Sequence, residues 1–451
     1  MDGLGEPAGT QASPMKSTLL TRVRTIQTLG RAWRVIYENG RSSQSSETRR
    51  DIAKFAETAD ASLNRIQRQL NRNSFVFEPA IGVPIQKKGR NSKRPLVVAP
   101  IESRIVQRAI HDVLLSIPEI QKYAENPYSF GGVKKKLGKA AVPGAIEAVV
   151  GAIEAGARFV IRSDISSFFT KIPKPVVTQI ITDVTQDTEF VELFKQAITV
   201  ELENLAELAT DAASFPLYEI GVAQGCSLSP LLGNLLLSDF DQQMNSRRCT
   251  CLRYIDDFIV LAPNNFEAEK EFSFGVRLLK SLGLHISGEK TFKGNASNGF
   301  EFLGIEINNG AIRPSRTSRK RLLNKVQNVL QSSTAGFYEH AKSGRLSPRL
   351  SLIRTLTEAS GIVQGWGKQY YFCNDKNVLA QLDSALDSMV RQYLGTYAKF
   401  SRASSQLQRR QLLGIPLLEQ LASKPFKWPQ FAPYPVNPLM TAELQAGGTG
   451  F

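Results

Sequence analysis

The stretch Leu252-Arg253-Tyr254-Ile255-Asp256-Asp257-Phe258-Ile259-Val260-Leu261-Ala262 decides the fold. Two apolar runs rich in β-branched residues flank a pair of adjacent aspartates, and neither Gly nor Pro occurs before Pro263. This pattern predicts a β-hairpin whose tight turn carries both carboxylates. Like charges between buried strands repel, and their desolvation costs several kcal/mol unless a cation compensates. A divalent metal with hard oxygen ligands, Mg²⁺ first, meets that cost. Adjacent aspartates are also common in ordinary acidic loops, so the surroundings must decide.

Upstream, Arg158 to Asp164 reads as a strand ending on a carboxylate, followed by Ile165-Ser166-Ser167-Phe168-Phe169. An aspartate at a strand end is commonly a cap. Here Asp164 supplies a further oxygen ligand, from another strand, for Asp256 and Asp257. Carboxylates on neighbouring strand ends, holding two metals about 3.5–4 Å apart, are how polymerases activate a 3′-hydroxyl and stabilise the leaving pyrophosphate. Downstream, Phe266 to Leu282 is an expected amphipathic helix. Gly283 to Thr291 is expected as strand and turn, and Phe300 to Ile307 pairs with Ala311 to Pro314 as a hairpin across Asn308-Asn309-Gly310. Between the acidic elements, 176–212 is expected to be helical and to lie behind the sheet. Ser229 as N-cap with Pro230 after it starts a helix over Leu231–Met244. Gly225 lets backbone approach a base pair there, and Gln224 can donate and accept.

Nearer the N-terminus, residues 18–73 are expected as helix, with Ala53, Phe55, Ala56, Ala59, Leu63, Ile66 and Leu70 inward and Arg49, Arg50, Lys54, Arg65, Arg68 and Arg72 outward. Phe75-Val76-Phe77 and Val83-Pro84-Ile85 read as short strands. A basic turn over 86–95, including Lys93 and Arg94, leads to a returning strand over 96–100. Such a turn is either a solvated charged loop or a grip on triphosphate oxygens. A helix over Glu102–Ile117 and a loop with aromatics beside Lys134, Lys135 and Lys136 follow, the latter suited to a template strand. An amphipathic helix is expected over Ala145–Glu154. From Ser315 to about Phe400 the pattern is helical and basic, with Trp366, Tyr370 and Tyr371 at its middle. The run Arg316, Arg319, Lys320, Arg321 is either a solvated face or a nucleic-acid contact. Beyond Gly414 the chain is rich in Pro and reads as an extended arm.

Composition bounds the partners. Lys and Arg number 56 against 41 acidic residues, a net charge of +15, and the pI is about 9.6. That excess points to a polyanion, nucleic acid foremost. No run of ~18 apolar residues and no basic amphipathic helix argues for a membrane. Residues 1–17 lack an apolar core and are expected as a disordered tail rather than a signal peptide. Cys226, Cys249, Cys251 and Cys373 have no C-x-x-C spacing and, with three histidines in 451 residues, do not suggest zinc. Reduced, buried thiols in a cytoplasmic protein are the expectation.

Taken together the boxes resemble those of reverse transcriptases. Tyr254-Ile255-Asp256-Asp257 is similar to the Tyr-X-Asp-Asp box. In the family's order stand a basic hairpin with Arg94-Pro95, the Asp164 to Phe169 motif, Gln224-Gly225 to Ser229-Pro230, Gly283-Leu284 to Lys290-Thr291, and Phe302-Leu303-Gly304. The resemblance covers about Phe75 to Gly304. It implies an α+β right-hand polymerase: a helical region over 18–73, fingers and palm of antiparallel sheet plus helices over 74–314, an α-helical thumb over 315–400 and a Pro-rich arm over 401–451. It also implies that Asp164, Asp256 and Asp257, with the Ile165 carbonyl, bind two Mg²⁺ ions, with Mn²⁺ as a substitute. Lys93, Arg94 and Lys290 would hold the incoming dNTP, Phe169 would exclude its 2′-hydroxyl, Gln224 would lie against the nascent pair, and Tyr254 would meet nucleic acid.

Ser229-Pro230-Leu231-Leu232 and Gly365-Trp366 place the chain nearest the bacterial group II intron-like lineage. Without a His-Asn-His endonuclease, an RNase H domain or a retron Asn-Ala-x-x-His motif, it is most like the stand-alone, defence-associated (unknown group) enzymes. These make cDNA against phage, often on a structured non-coding RNA. An intron maturase that chiefly binds RNA, and a template-independent or protein-primed DNA polymerase, are the alternatives. A homo-oligomer is left open.

Overall fold

The computed structural model describes residues 18–43, 45–86, 93–132, 141–416 and 418. The described residues begin with four helices: α1 (Leu19–Val23), α2 (Ile26–Arg41), α3 (Ser46–Glu57) and α4 (Ala59–Asn71). Thr18, Thr25 and Ser45 cap the first three by accepting backbone N–H bonds, the role short hydroxyl side chains fill at helix starts. The break at Thr58 resets the helical phase. Leu63, Ile66 and Leu70 are buried as expected, but Ala53 and Ala56 face out and Ile52 takes the core position.

Next comes the hairpin of β1 (Ile81–Gln86) and β2 (Lys93–Val98); its connecting residues 87–92, the tip of the expected basic turn, lie outside the described residues. Phe75-Val76-Phe77 is not a strand. Its aromatic rings pack on each other at 5.1 Å, so packing rather than a ladder bond holds it. Helices α5 (Ile101–Leu114), α6 (Pro118–Ala124) and α7 (Ala141–Glu154) follow. On α5 the expected inward set Ile105, Val106, Ala109, Ile110, Val113 and Leu114 is buried throughout.

Strand β3 (Phe159–Asp164) enters the central sheet. The expected helix over 176–212 is two helices, α8 (Lys174–Thr185) and α9 (Thr188–Ile198), and ends at Thr199. They pack on other helices, α8 on α10 (Ser229–Asn245) and α9 on α5. The helices that pack on the sheet are α7 and α10 against β4 (Thr250–Tyr254), α7 also against β5 (Asp257–Ala262), and α11 (Asn265–Ser281) against β3 and β5. Phe258 on β5 stands between Phe240 of α10, 5.8 Å away, and Phe272 of α11, 6.0 Å away. Ser229 is the first helical residue rather than the cap: the preceding Leu228 is already helical, and the Ser229 hydroxyl donates to the Ala223 carbonyl at 2.7 Å.

Beyond α11, the strand expected before Thr291 is a single bridge at Ile286 and a short 3₁₀ turn over Gly288–Lys290. The strand proper is β6 (Phe292–Asn295), which completes an antiparallel sheet of order β4-β5-β3-β6. The expected two-stranded hairpin near 300–314 is a three-stranded meander, β7 (Phe300–Phe302), β8 (Ile305–Asn308) and β9 (Ala311–Pro314), because Leu303 and Gly304 both take positive φ and turn the chain.

Among the described residues the chain divides into two compact units at Ser315/Arg316, with Phe372–Asp375 returning to the first. The second unit is helical: α12 (Arg316–Ser343), α13 (Leu352–Gln369), α14 (Lys376–Arg402) and α15 (Gln406–Leu413). Leu322, Val326, Leu330, Ser333 and Phe337 lie on the buried stripe of α12, at the three- and four-residue spacing one helix face requires. Antiparallel sheets plus helices make the architecture α+β, and no helix among the described residues is long and apolar enough to cross a membrane.

Candidate active site

The hairpin forms where the sequence asks for it. β4 and β5 pair antiparallel, with Tyr254 opposite Asp257, and Ile255-Asp256 make the turn. On its other side β5 pairs with β3, so that Asp164 faces Asp257 directly. The Ile165 N–H donates to the Asp256 carbonyl at 2.9 Å, and the Ser287 N–H donates to the Asp164 carbonyl at 2.8 Å. These bonds bring the three carboxylates together: one ligand atom from each of Asp164, Asp256 and Asp257 lies within 4.8 Å of the others.

Electrostatics mark the cluster as under-neutralised. Burial, then Asp256 and Asp164, push the Asp257 carboxyl up to about 7, against the opposing pull of Lys290 and Arg162. Asp256 is raised as well, first by burial and then by Asp164, with Lys290 and Arg94 opposing. Lys290 Nζ donates to Asp164 Oδ2 at 2.5 Å. Three oxygen-bearing side chains held this close without matching positive charge fit a hard divalent cation, which would favour the ionised form of each.

The other expected residues divide into those at the cluster and those elsewhere. Arg94 on β2 is exposed and close enough to act on Asp256. The neighbouring Lys93 is engaged elsewhere, with Nζ 2.6 Å from Asp211 Oδ2; an exposed pair of that kind is worth about 0–1 kcal/mol and releases easily. Gln224 is fixed by its main chain, its carbonyl accepting the Val97 N–H at 2.9 Å, so the Gln-Gly loop is tied to β2. Gly225 is required there: at φ +117, a Cβ would stand 2.8 Å from the Val97 carbonyl oxygen. Phe168 is core, 2% exposed, while Phe169 is half-buried with its ring 5.5 Å from Phe168. Tyr254 is half-buried and its phenol is raised by burial.

Lys134, Lys135 and Lys136 lie outside the described residues. In the helical unit Arg316, Lys320 and Arg321 are exposed and Arg319 is half-buried. Ser318 within that run accepts from Trp366 Nε1 at 3.2 Å and bonds the Tyr370 hydroxyl at 2.6 Å, so those two aromatics serve packing. Of the four cysteines only Cys251 is buried; the others are half-buried and all are free thiols.

Two residues of the site were not singled out from sequence. Arg162, two positions before Asp164 on β3, sits over the Phe292 ring at 5.8 Å and lends positive charge to Asp257. Arg253 is fully buried directly before the Tyr254-Ile255-Asp256-Asp257 box. Part of its signal is in the sequence, since a charge on a strand that enters the core needs a buried partner; which α10 aspartate supplies it is decided by the fold, where Asp241 is buried and Asp239 exposed.

Residues 85–307 match the reverse transcriptase (RNA-dependent DNA polymerase) family, a span that holds every palm residue above. Protein YkfC of Escherichia coli (strain K12) is 25% identical over 300 residues, covering 57% of this chain and 75% of that protein. A structure of apo telomerase from Candida tropicalis shares 13% identity over 75% of this chain and 65% of its own, with a TM-score of 0.42. A partial Cas6-RT-Cas1–Cas2 complex shares 20% identity over 58% of this chain and 43% of its own, with a TM-score of 0.33. The chain thus spans less than two thirds of either solved chain.

Proposed function

We propose that this chain, whose residues 85–307 are a reverse transcriptase domain, the domain of an RNA-directed DNA polymerase, makes cDNA from an RNA template by two-Mg²⁺ nucleotidyl transfer. The observation that carries this reading is the juxtaposition of Asp164, Asp256 and Asp257 with ligand atoms within 4.8 Å. These three carboxylates, with the Ile165 carbonyl, would hold the ions, and Mn²⁺ could replace Mg²⁺. When bound, such ions lower the pKa of an attacking hydroxyl and offset charge on the leaving group.

The protein's own groups do the rest. Lys290 and Arg94, which already act on the carboxylates, meet the triphosphate of an incoming dNTP, and Lys93 joins them by leaving Asp211. Phe169 narrows the site where a ribose 2′-hydroxyl would go. Gln224 lies against the nascent base pair and Tyr254 supports the primer end. The net charge of +15 suits an RNA template and a DNA product, with Lys134–Lys136 and the Arg316–Arg321 run along their backbones. The motif pattern, similar to that of the group II intron-like lineage, supports a structured non-coding RNA as template, a bacterial anti-phage role and a cytoplasmic setting.

The test is to purify the protein from cells, sequence the nucleic acid it retains, and repeat with Asp257→Ala. A structured RNA accompanied by its complementary DNA in the wild type, with the DNA missing from the variant, is the expected result. Intron RNA without cDNA would favour a maturase. DNA without a matching RNA, or joined to a side chain, would favour the template-independent or protein-primed alternative.

A further inference from the structure

Beneath the catalytic turn lies a charged pair that the chemistry above does not use. Arg253 and Asp241 are 1% and 0% exposed. Arg253 Nε donates to Asp241 Oδ1 at 2.8 Å and Nη2 to Oδ2 at 2.6 Å, a fork-to-carboxylate match. Nη1 then reaches the Asn234 Oδ1 and the Ile255 carbonyl, both at 3.0 Å. Around it Asn126 Nδ2 donates to Asp241 at 2.8 Å, and Asn234 Nδ2 donates to the Gly131 carbonyl at 3.1 Å.

The bond to Ile255 is the informative one. Ile255 has φ +60, a left-handed conformation that is strained for a β-branched residue and kept only when its surroundings over-determine it. The turn is held from two sides: the Ile255 carbonyl by Arg253, and the Asp256 carbonyl by the Ile165 N–H. Gly131 closes the cradle, since a Cβ there would stand 2.6 Å from Ile255 Cγ1 and 2.9 Å from its N. A buried ion pair is a poor way to gain stability, because apolar residues of similar volume usually do as well or better. What apolar residues cannot supply is a donor aimed at one carbonyl.

We propose that Arg253, mounted on Asp241 and Asn234, is a positioning residue that fixes the strained Ile255 and thereby presents the Asp256 carboxylate as a preorganised metal ligand. This rests on the two-metal reading of the aspartates. A lysine could keep the charge but not the planar fork, whose donors serve Asp241 and Ile255 at once.

The test compares wild type, Asp256→Ala, Arg253→Lys and the double variant Arg253→Met/Asp241→Leu. Each is measured by thermal melting, by calorimetric Mn²⁺ titration, and by primer extension on a short annealed primer–template. The double variant is expected to melt at or near the wild-type temperature yet bind Mn²⁺ about 10–100-fold more weakly, as loss of a ligand's supporting hydrogen bond typically does. Its kcat should fall by a similar factor while KM for dNTP stays within about twofold. Arg253→Lys, melted separately to establish its folded range, should lose Mn²⁺ affinity likewise, and it decides the matter if the double variant does not fold. Wild-type Mn²⁺ affinity in either folded variant overturns the mount, and does so alone if Asp256→Ala has lost that affinity. Should Asp256→Ala bind Mn²⁺ as the wild type does, the two-metal reading falls and the mount with it.

Discussion

Two charged clusters sit on either side of Ile255, and they are built on opposite rules. Arg253 and Asp241 are withdrawn from solvent as one positive and one negative group whose donors and acceptors are closed by Asn126, Asn234 and a backbone carbonyl. Asp164, Asp256 and Asp257 are three carboxylates with one ammonium bonded among them, and burial first, then Asp256 and Asp164, drive Asp257 up to about 7. A fold that can balance buried charge so completely in one place leaves it unbalanced a few residues away. That contrast supports the two-metal reading proposed for the aspartates.

The sharpest break between the clusters should come from removing one acid of each. Asp256→Ala or Asp257→Ala should lower dNTP incorporation at least about 1000-fold, the loss of several kcal/mol of transition-state stabilisation, with metal-free melting unchanged or raised because a repulsion is relieved. Asp241→Ala should do the reverse in stability. It strands the buried Arg253 and should cost roughly 3–5 kcal/mol in urea unfolding. Equal destabilisation by Asp257→Ala and Asp241→Ala would erase the distinction.

A smaller effect is expected beside the carboxylates. Phe169→Ala should raise the ratio of rNTP to dNTP incorporation about 10-fold or more, within the range that a few atoms of pocket volume can discriminate. An unchanged ratio in competition assays would make Phe169 a companion of Phe168 in the core. Smaller again is the contribution of the helical unit, where the run Arg316, Arg319, Lys320 and Arg321 lies at the surface rather than in a buried cluster. Neutralising Arg316, Arg319, Lys320 and Arg321 together should flatten the log–log salt dependence of RNA binding by roughly 0.7–0.9 for each phosphate that no longer meets a cation. Extension on a short annealed primer–template at saturating concentration should survive. An unaltered slope would leave the run an ordinary solvated face.

How far the sequence revealed this contrast depended on the kind of interaction. Strands β3 and β5 were legible because an apolar run that ends on Asp164, and another that starts at Asp257, have few other solutions, and β4 follows as the hairpin partner across the Ile255-Asp256 turn; their pairing brings the carboxylates together. Strand β6 was not, since Phe292-Lys293-Gly294-Asn295 has neither the length nor the apolar content to stand out; its partner β3 makes it a strand. The turn at Leu303-Gly304 was hidden because positive φ at a leucine has no composition signal. Likewise the chain turns out of helix at Thr199, where periodicity alone suggested continuation. Arg253 is legible only in part, because a local pattern does not show which α10 aspartate, Asp239 or Asp241, the strand arginine will meet.

The proposal that the aspartate cluster binds a divalent cation is tested most directly by melting the protein with and without Mg²⁺ from pH 5 to 8. Because the folded Asp257 carboxyl titrates near 7, above its ordinary value of about 3.9, its contribution to metal-free stability is full below about pH 4 and is lost as pH rises through about 7. Mg²⁺ binds the ionised form, so its stabilising shift in melting temperature should be small at pH 5 and grow steadily toward pH 8. In Asp257→Asn the shift should be much smaller and nearly flat. A Mg²⁺ shift that is independent of pH in the wild type, or that persists at full size in Asp257→Asn, would contradict it.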